Sequence, residues 1–112
     1  MKLSCVYILA NKPNGTLYIG VTSNLVQRVR QHRNDVAEGF TKRYGMHRLI
    51  WHEVHETMDA ALTREKALTW WKRACKIRPI EESNPTWTDL YDEVRGQQGP
   101  ERSAQYLIRR AE

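Results

Sequence analysis

The chain has 112 residues, 40% hydrophobic and 28% charged, and 18 Lys and Arg against 13 Asp and Glu give a net charge of +5. That length holds one modest core and no second domain. No run approaches the length of a membrane-crossing helix, and one lysine followed by a β-type pattern does not read as a secretion signal. Two isolated cysteines, Cys5 and Cys75, have neither a disulfide framework nor metal-ligand spacing, so they read as buried thiols in a reducing cytoplasm. The positive charge favours a polyanionic partner only mildly, but its distribution says more. Arg28, Arg30, Arg33, Lys42, Arg43 and Arg48 crowd together, while most acids lie from Glu53 onward. A basic face of that kind is the electrostatic footprint of a nucleic-acid binder.

Taken from the N-terminus, Ser4–Ala10 and Thr16–Thr22 are β-rich runs flanking Asn11-Lys12-Pro13-Asn14-Gly15, and Asn-Gly is a strong hairpin signal. With Asn14-Gly15 as a two-residue loop, paired positions sum to 29. Tyr7 and Tyr18 then project from one face, and any other even loop length gives the same result. Gly20 marks either a bulge or a close approach to the backbone.

Thr22-Ser23-Asn24 supplies helix caps for a helix over 25–33, with Leu25, Val26 and Val29 as its buried stripe. Arg28 and His32 are four apart and share a face. Most arginines are simply solvated. Arg28, however, follows Tyr18 by ten residues across a tight turn, which places it near the tyrosine hydroxyls. His32 reads equally as a member of that group or as a half-buried ring bonded to a carbonyl.

A polar connection follows over 34–39, then a loop or short turn over 40–45. Arg48–Val54 is the third strand. His52 and His55 are three apart on it, point to opposite faces, and cannot close on one ion. Thr57 opens a long helix over 58–75, with Ala61, Leu62, Leu68, Trp71 and Cys75 toward the core. Trp70 and Trp71 cannot both face inward, because neighbours sit about 100° apart, and a ring left outside would suit base stacking. Glu65 by itself reads as a surface acid in helical ion pairs. The chain leaves this helix over 76–80. Asn84-Pro85 then reads as an N-cap with proline in the first helical position, and Trp87 and Leu90 form the inner face of that helix. Residues 1–91 form the domain, a small α+β fold with a three-stranded antiparallel sheet in the order β-β-α-β-α-α. Residues 92–112 read as a polar tail with a short helix over 103–112.

Val6-Tyr7-Ile8 and Tyr18-Ile19-Gly20, followed in order by Arg28, His32, Glu65 and Asn84-Pro85, resemble the motif series of the GIY-YIG nuclease superfamily over residues 3–91. The likeness is greatest to its small stand-alone branch, related to the N-terminal nuclease domain of the excinuclease C subunit. The first half-motif opens with Val6 in place of glycine. The resemblance implies a catalytic set of Tyr7, Tyr18, Arg28, His32, Glu65 and Asn84, with Glu65 as the single metal-binding carboxylate. It also points to the Thr41-Lys42-Arg43-Tyr44 stretch as a phosphate contact, with Arg30 adding to the same basic face; Tyr44 reads equally as a core residue closing the domain beside the hairpin.

One carboxylate is too few for a two-metal nuclease. It suits a single Mg²⁺ or Mn²⁺ that keeps most of its water. The expected reaction is DNA hydrolysis with Tyr18 as general base, leaving 5′-phosphate and 3′-hydroxyl ends. Single-stranded or branched DNA is the expected substrate, RNA and a partner protein that supplies specificity stay open, and no membrane is involved. The alternative is a non-catalytic, basic nucleic-acid-binding module with a vestigial site.

Overall fold

The computed structural model describes residues 3–34 and 40–96, with backbone alone at 40 and 41. The expected helix over 103–112 lies outside the described residues, as does most of the connection over 34–39. Three strands, β1 (Ser4–Ala10), β2 (Leu17–Thr22) and β3 (Arg48–His55), form an antiparallel sheet in the order β2-β1-β3. Helices α1 (Leu25–Arg33), α2 (Phe40–Arg43), α3 (Met58–Trp70), α4 (Arg73–Ser83) and α5 (Tyr91–Gly96) complete the chain. The α+β class and the three-stranded antiparallel sheet are those the sequence implies.

Every residue of β1 is buried, because helices cover both faces of the sheet, so this strand is almost continuously apolar instead of alternating. Cys5, Tyr7 and Leu9 pack with Leu25, Val26 and Val29 of α1 and with Tyr91 and Val94 of α5. Val6, Ile8 and Ala10 face the other way, toward Ala61 and Leu68 of α3 and Ile80 of α4. The result is three layers with one core on each side of the sheet. Cys5 is buried and Cys75 is exposed, and no disulfide joins them.

The hairpin turns differently from expectation. Its pairs, such as Cys5 with Thr22 and Ala10 with Leu17, sum to 27, so the loop is the six residues 11–16. Pro13 lacks the N–H a ladder needs and fixes its own φ. The chain therefore turns at Lys12–Gly15, with the Gly15 N–H donating to the Lys12 carbonyl at 2.9 Å and Asn14 at φ 58°. Proline followed by a positive φ marks a type II turn. The Arg73 guanidinium of α4 donates to the carbonyls of Asn14 and Gly15 at 3.0 and 2.6 Å, which ties the turn to the helical layer. The shift of register is two residues, so it leaves the facing of the side chains unchanged.

Asn24 caps α1 as expected, its side chain accepting from the Gln27 N–H at 3.2 Å. The long helix expected over 58–75 is instead two. α3 stops at Trp71, where ψ is 150°, and α4 starts at Arg73 and runs through Pro79 to Ser83. Nothing local demands the break. A straight helix would carry Ile77 and Ile80 past the sheet, whereas the corner returns Ile80 to full burial on it; tertiary burial overrides helix propensity. Of the residues expected to face inward, Ala61 and Leu68 are buried, while Leu62, Trp71 and Cys75 are exposed.

Asn84 also differs from expectation. It is the C-cap of α4, and residues 84–90 form no helix. Its amide nitrogen donates to the Ile50 and Thr88 carbonyls at 3.1 and 2.8 Å, and its oxygen accepts from the Thr88 N–H at 3.0 Å. Those bonds let Trp87 enter the core fully buried, at a φ of 58° that a large side chain seldom adopts. Asp89 then bonds the N–H groups of Leu49 and Tyr91 at 3.2 and 3.0 Å and pairs with Arg33, joining β3, α5 and α1. Among the described residues no helix is long and apolar enough to cross a membrane. Asn84→Ala strands the buried Ile50 carbonyl and frees two part-buried groups of Thr88, and should lower stability by about 1–3 kcal/mol, read as a shift in the urea midpoint.

Candidate active site

Because Tyr7 pairs with Gly20 and Leu9 with Tyr18, both tyrosines stand on the sheet face covered by α1. Their ring centroids are 6.3 Å apart, and the His32 ring lies 5.9 Å from Tyr7 and 5.5 Å from Tyr18. The Tyr7 hydroxyl and His32 Nε2 are hydrogen-bonded at 3.1 Å. Gly20 makes this possible: a Cβ there would stand 2.5 Å from Cζ and Oη of Tyr7. The ring occupies the space that any other residue's side chain would take. Between the two readings open for Gly20, close approach is the one observed.

Arg28, one turn before His32, lies with its guanidinium against the Tyr7 phenol first and the Tyr18 phenol second, an arrangement that raises its own pKa. Gln31 steadies it, accepting from Nη1 at 3.1 Å. Gln31 is a member of the site that sequence reasoning missed, although its i+3 spacing from Arg28 was a usable signal.

The electrostatics divide the group. Burial pushes the Tyr7 phenol up to about 12, with Arg28 opposing and Tyr18 adding to the rise. Burial, then the charge of Arg28 and then His47, holds His32 down at about 4, so its ring is neutral near pH 7. His32 Nδ1 is buried with no partner. A buried bare lone pair costs less than a buried bare N–H, which favours the tautomer in which Nε2 carries the proton and donates to Tyr7. Tyr7 is thus a protonated hub that receives His32 and Arg28. Tyr18 is only half-buried, the more accessible of the two phenols.

The other residues singled out from the sequence are not in this cluster. Glu65 lies on α3, in the layer against the opposite face of the sheet, half-buried, with Oε2 accepting from the Thr69 hydroxyl at 2.7 Å. Arg64 and Glu65 straddle the Ala61–Leu68 stripe, about 100° apart. Arg64 reaches Glu53 and Trp51 of β3, so Glu65 sits on the flank nearer β2, the strand that carries Tyr18. Among the described residues no three His, Cys, Asp or Glu gather to cage a metal ion. One accessible carboxylate fits a hard ion that keeps its water and takes further oxygens from phosphate. His52 lies across from Tyr7 on β3, while His55 faces the other side and bonds Glu53 at 2.7 Å.

Asn84 spends both polar atoms on backbone groups, as described above. Lys42 and Arg43 are exposed, and Tyr44, with 44% of its surface exposed, does not close the core. Arg30 is exposed and donates to the Tyr91 hydroxyl at 3.2 Å.

The profile of the GIY-YIG catalytic domain matches residues 3–78, more than half of the chain. This chain belongs to the GIY-YIG family. Its relatives include a UPF0213 protein of Autographa californica nuclear polyhedrosis virus, 43% identical over 86 residues, spanning 70% of this chain and 82% of that one. A UPF0213 protein of Staphylococcus saprophyticus is 30% identical over 77 residues, 69% of this chain and 93% of its own. Among solved structures, the solution structure of a UPF0213 protein from Bacillus halodurans superposes with a TM-score of 0.50 at 21% identity, covering 78% of this chain and 92% of that one; that likeness is one of fold. GIY-YIG domains are generally nucleases, acting on nucleic acid with a divalent metal.

Gly20→Ala should displace the Tyr7 ring, cost about 1–3 kcal/mol through overpacking, and abolish the Tyr7–His32 contact, visible as altered His32 imidazole shifts by NMR. A second expectation concerns pH. The unfolded chain binds a proton at His32 near 6.5, while the folded one refuses it until about 4. Stability is therefore full above pH 6.5, falls as pH drops through that window by at most about 3 kcal/mol, and levels off below it. Urea midpoints at pH 7 and 4.5 should differ less in His32→Gln than in the wild type.

Proposed function

We propose that this GIY-YIG protein is an endonuclease that hydrolyses phosphodiester bonds in DNA, with Tyr18 as general base and with Mg²⁺ or Mn²⁺ held by Glu65. The observation that carries the reading is the unequal pair of phenols under one guanidinium. Tyr7 is buried and keeps its proton to about 12, whereas Tyr18 is half-buried and open to a substrate.

Tyr18, as phenolate, takes a proton from the water whose oxygen attacks phosphorus. The bond from phosphorus to the 3′ oxygen breaks, and that oxygen leaves to become a hydroxyl by taking up a proton. The Arg28 guanidinium lies against the Tyr18 phenol and supplies positive charge beside the oxygen that takes the proton. The same guanidinium stabilises charge growing on the phosphoryl oxygens. His32 and Tyr7 hold each other and set the position of Arg28 and Tyr18. The metal ion would contribute Lewis-acid polarisation of the phosphate. Lys42, Arg43, Tyr44 and Arg30 lie on exposed basic surface and would contact phosphates, positioning a strand without reading its sequence. A role in DNA repair or recombination suits such an activity, acting on single-stranded or branched DNA.

A second reading, a nucleic-acid-binding module with a vestigial site, draws on the placement of Glu65 in the layer opposite the tyrosines. The two separate cleanly. Labelled single-stranded, duplex, flap and junction oligonucleotides should be cut by the wild type only with Mg²⁺ or Mn²⁺. Arg28→Ala and Glu65→Ala should each lower the rate by at least about 100-fold without changing the thermal midpoint by more than a few degrees. Tyr18→Phe removes a single oxygen, so full activity in that variant would exclude Tyr18 as the base. Binding without cutting under every metal condition would select the vestigial reading.

A further inference from the structure

The corner between α3 and α4 leaves two indoles side by side at the surface: Trp70 is 86% exposed and Trp71 39%. Neither completes the core, which already holds Trp51 and Trp87. Beside them opens a groove of about 530 Å³ lined by Arg64, Trp71, Lys72, Cys75, Arg78 and Pro79, with Glu82 as the one acid. Arg64 is committed to structure. Its Nε bonds Glu53 at 3.1 Å, and its guanidinium lies 5.3 Å from the Trp71 ring centroid and 5.9 Å from that of Trp51. It braces the Trp71 ring against the sheet layer. Lys72 and Arg78 are exposed and take part in no ion pair among the described residues. Their charge is available to a ligand.

We infer that this corner binds single-stranded nucleic acid, with Trp70 and Trp71 stacking on unpaired bases and Lys72 and Arg78 neutralising the phosphates between them. Flat rings flanked by unpaired cations are the combination that suits a strand whose base faces are open. A duplex hides those faces, so it would gain only from the cations. The corner belongs to the α3–α4 layer, across the sheet from Tyr7 and Tyr18, so it would hold strand that flanks the cleaved bond. The inference rests on the nucleic-acid reading above but does not require cutting. It names the unpaired segment as the recognised part of the substrate.

Binding of the full chain in EDTA, where metal-dependent cleavage is silent, tests it. A fluorescein-labelled twenty-nucleotide oligo-dT and a hairpin duplex of similar length serve as probes, read by anisotropy and by quenching of tryptophan fluorescence. The paired substitution Trp70→Ala with Trp71→Ala should weaken oligo-dT binding by about tenfold or more and change duplex binding less than about twofold, while Trp71→Phe should restore most of the loss. Trp70→Ala alone, at a site with no packing to lose, should weaken oligo-dT binding with an unchanged melting curve. Lys72→Gln with Arg78→Gln should reduce the salt slope for the single strand by about 1.4. Oligo-dT affinity indifferent to both tryptophans would overturn the inference. So would equal losses for single strand and duplex, or a change confined to sedimentation behaviour, which would make the corner a contact between copies of this chain. Tryptophan-dependent binding by a wild type that never cuts would leave this inference standing and remove the nuclease reading. Cutting with tryptophan-independent binding would do the reverse.

Discussion

The contact between the Tyr7 hydroxyl and His32 Nε2, 3.1 Å long and buried between sheet and helix, is the constraint on which the site depends. It exists because the neighbouring strand has no side chain at Gly20. With a Cβ there, the ring could not lie flat across β2, and α1 could not seat His32 over both phenols. Both groups stay neutral near pH 7, one held above and the other below its ordinary range mainly by burial. Among the described residues, the full charge brought to the phenols is that of Arg28. Tyr7 is buried and feels that charge with less screening than the half-buried Tyr18 does.

Burial also sorts two chemically identical side chains into different work. Tyr7 sits on the central strand, covered on all sides, and Tyr18 sits on the edge strand beside it. The central phenol receives hydrogen bonds and fixes geometry, and the edge phenol meets solvent. Glu65 lies on the same edge of the molecule but in the other layer, so a substrate in reach of both would pass around β2.

The two indoles at the α3–α4 corner follow from the same economy of space. Breaking the helix after Trp70 allows Ile80 to reach the sheet, but it turns Trp70 and Trp71 outward. Arg64 then braces Trp71 through its pairing with Glu53. Arg73, just beyond the corner, holds the hairpin turn. Core packing, the hairpin and the exposed aromatic surface thus meet at one short junction.

Strand alternation by itself determined that Tyr7 and Tyr18 share a face, since every even loop length yields that answer, and helix periodicity placed Arg28 and His32 together above them. Local capping chemistry likewise located the start of α1 at Asn24. The tertiary structure alone decided the six-residue hairpin loop, the break after Trp70, the use of Asn84 as a C-cap and the layer in which Glu65 lies. Those choices depend on contacts made in the layer on the far side of the sheet: Arg73 against the turn, Ile80 and Trp87 in the second core, Asn84 against Ile50. Periodicity and capping register only neighbours along the chain, and these contacts join residues dozens of positions apart.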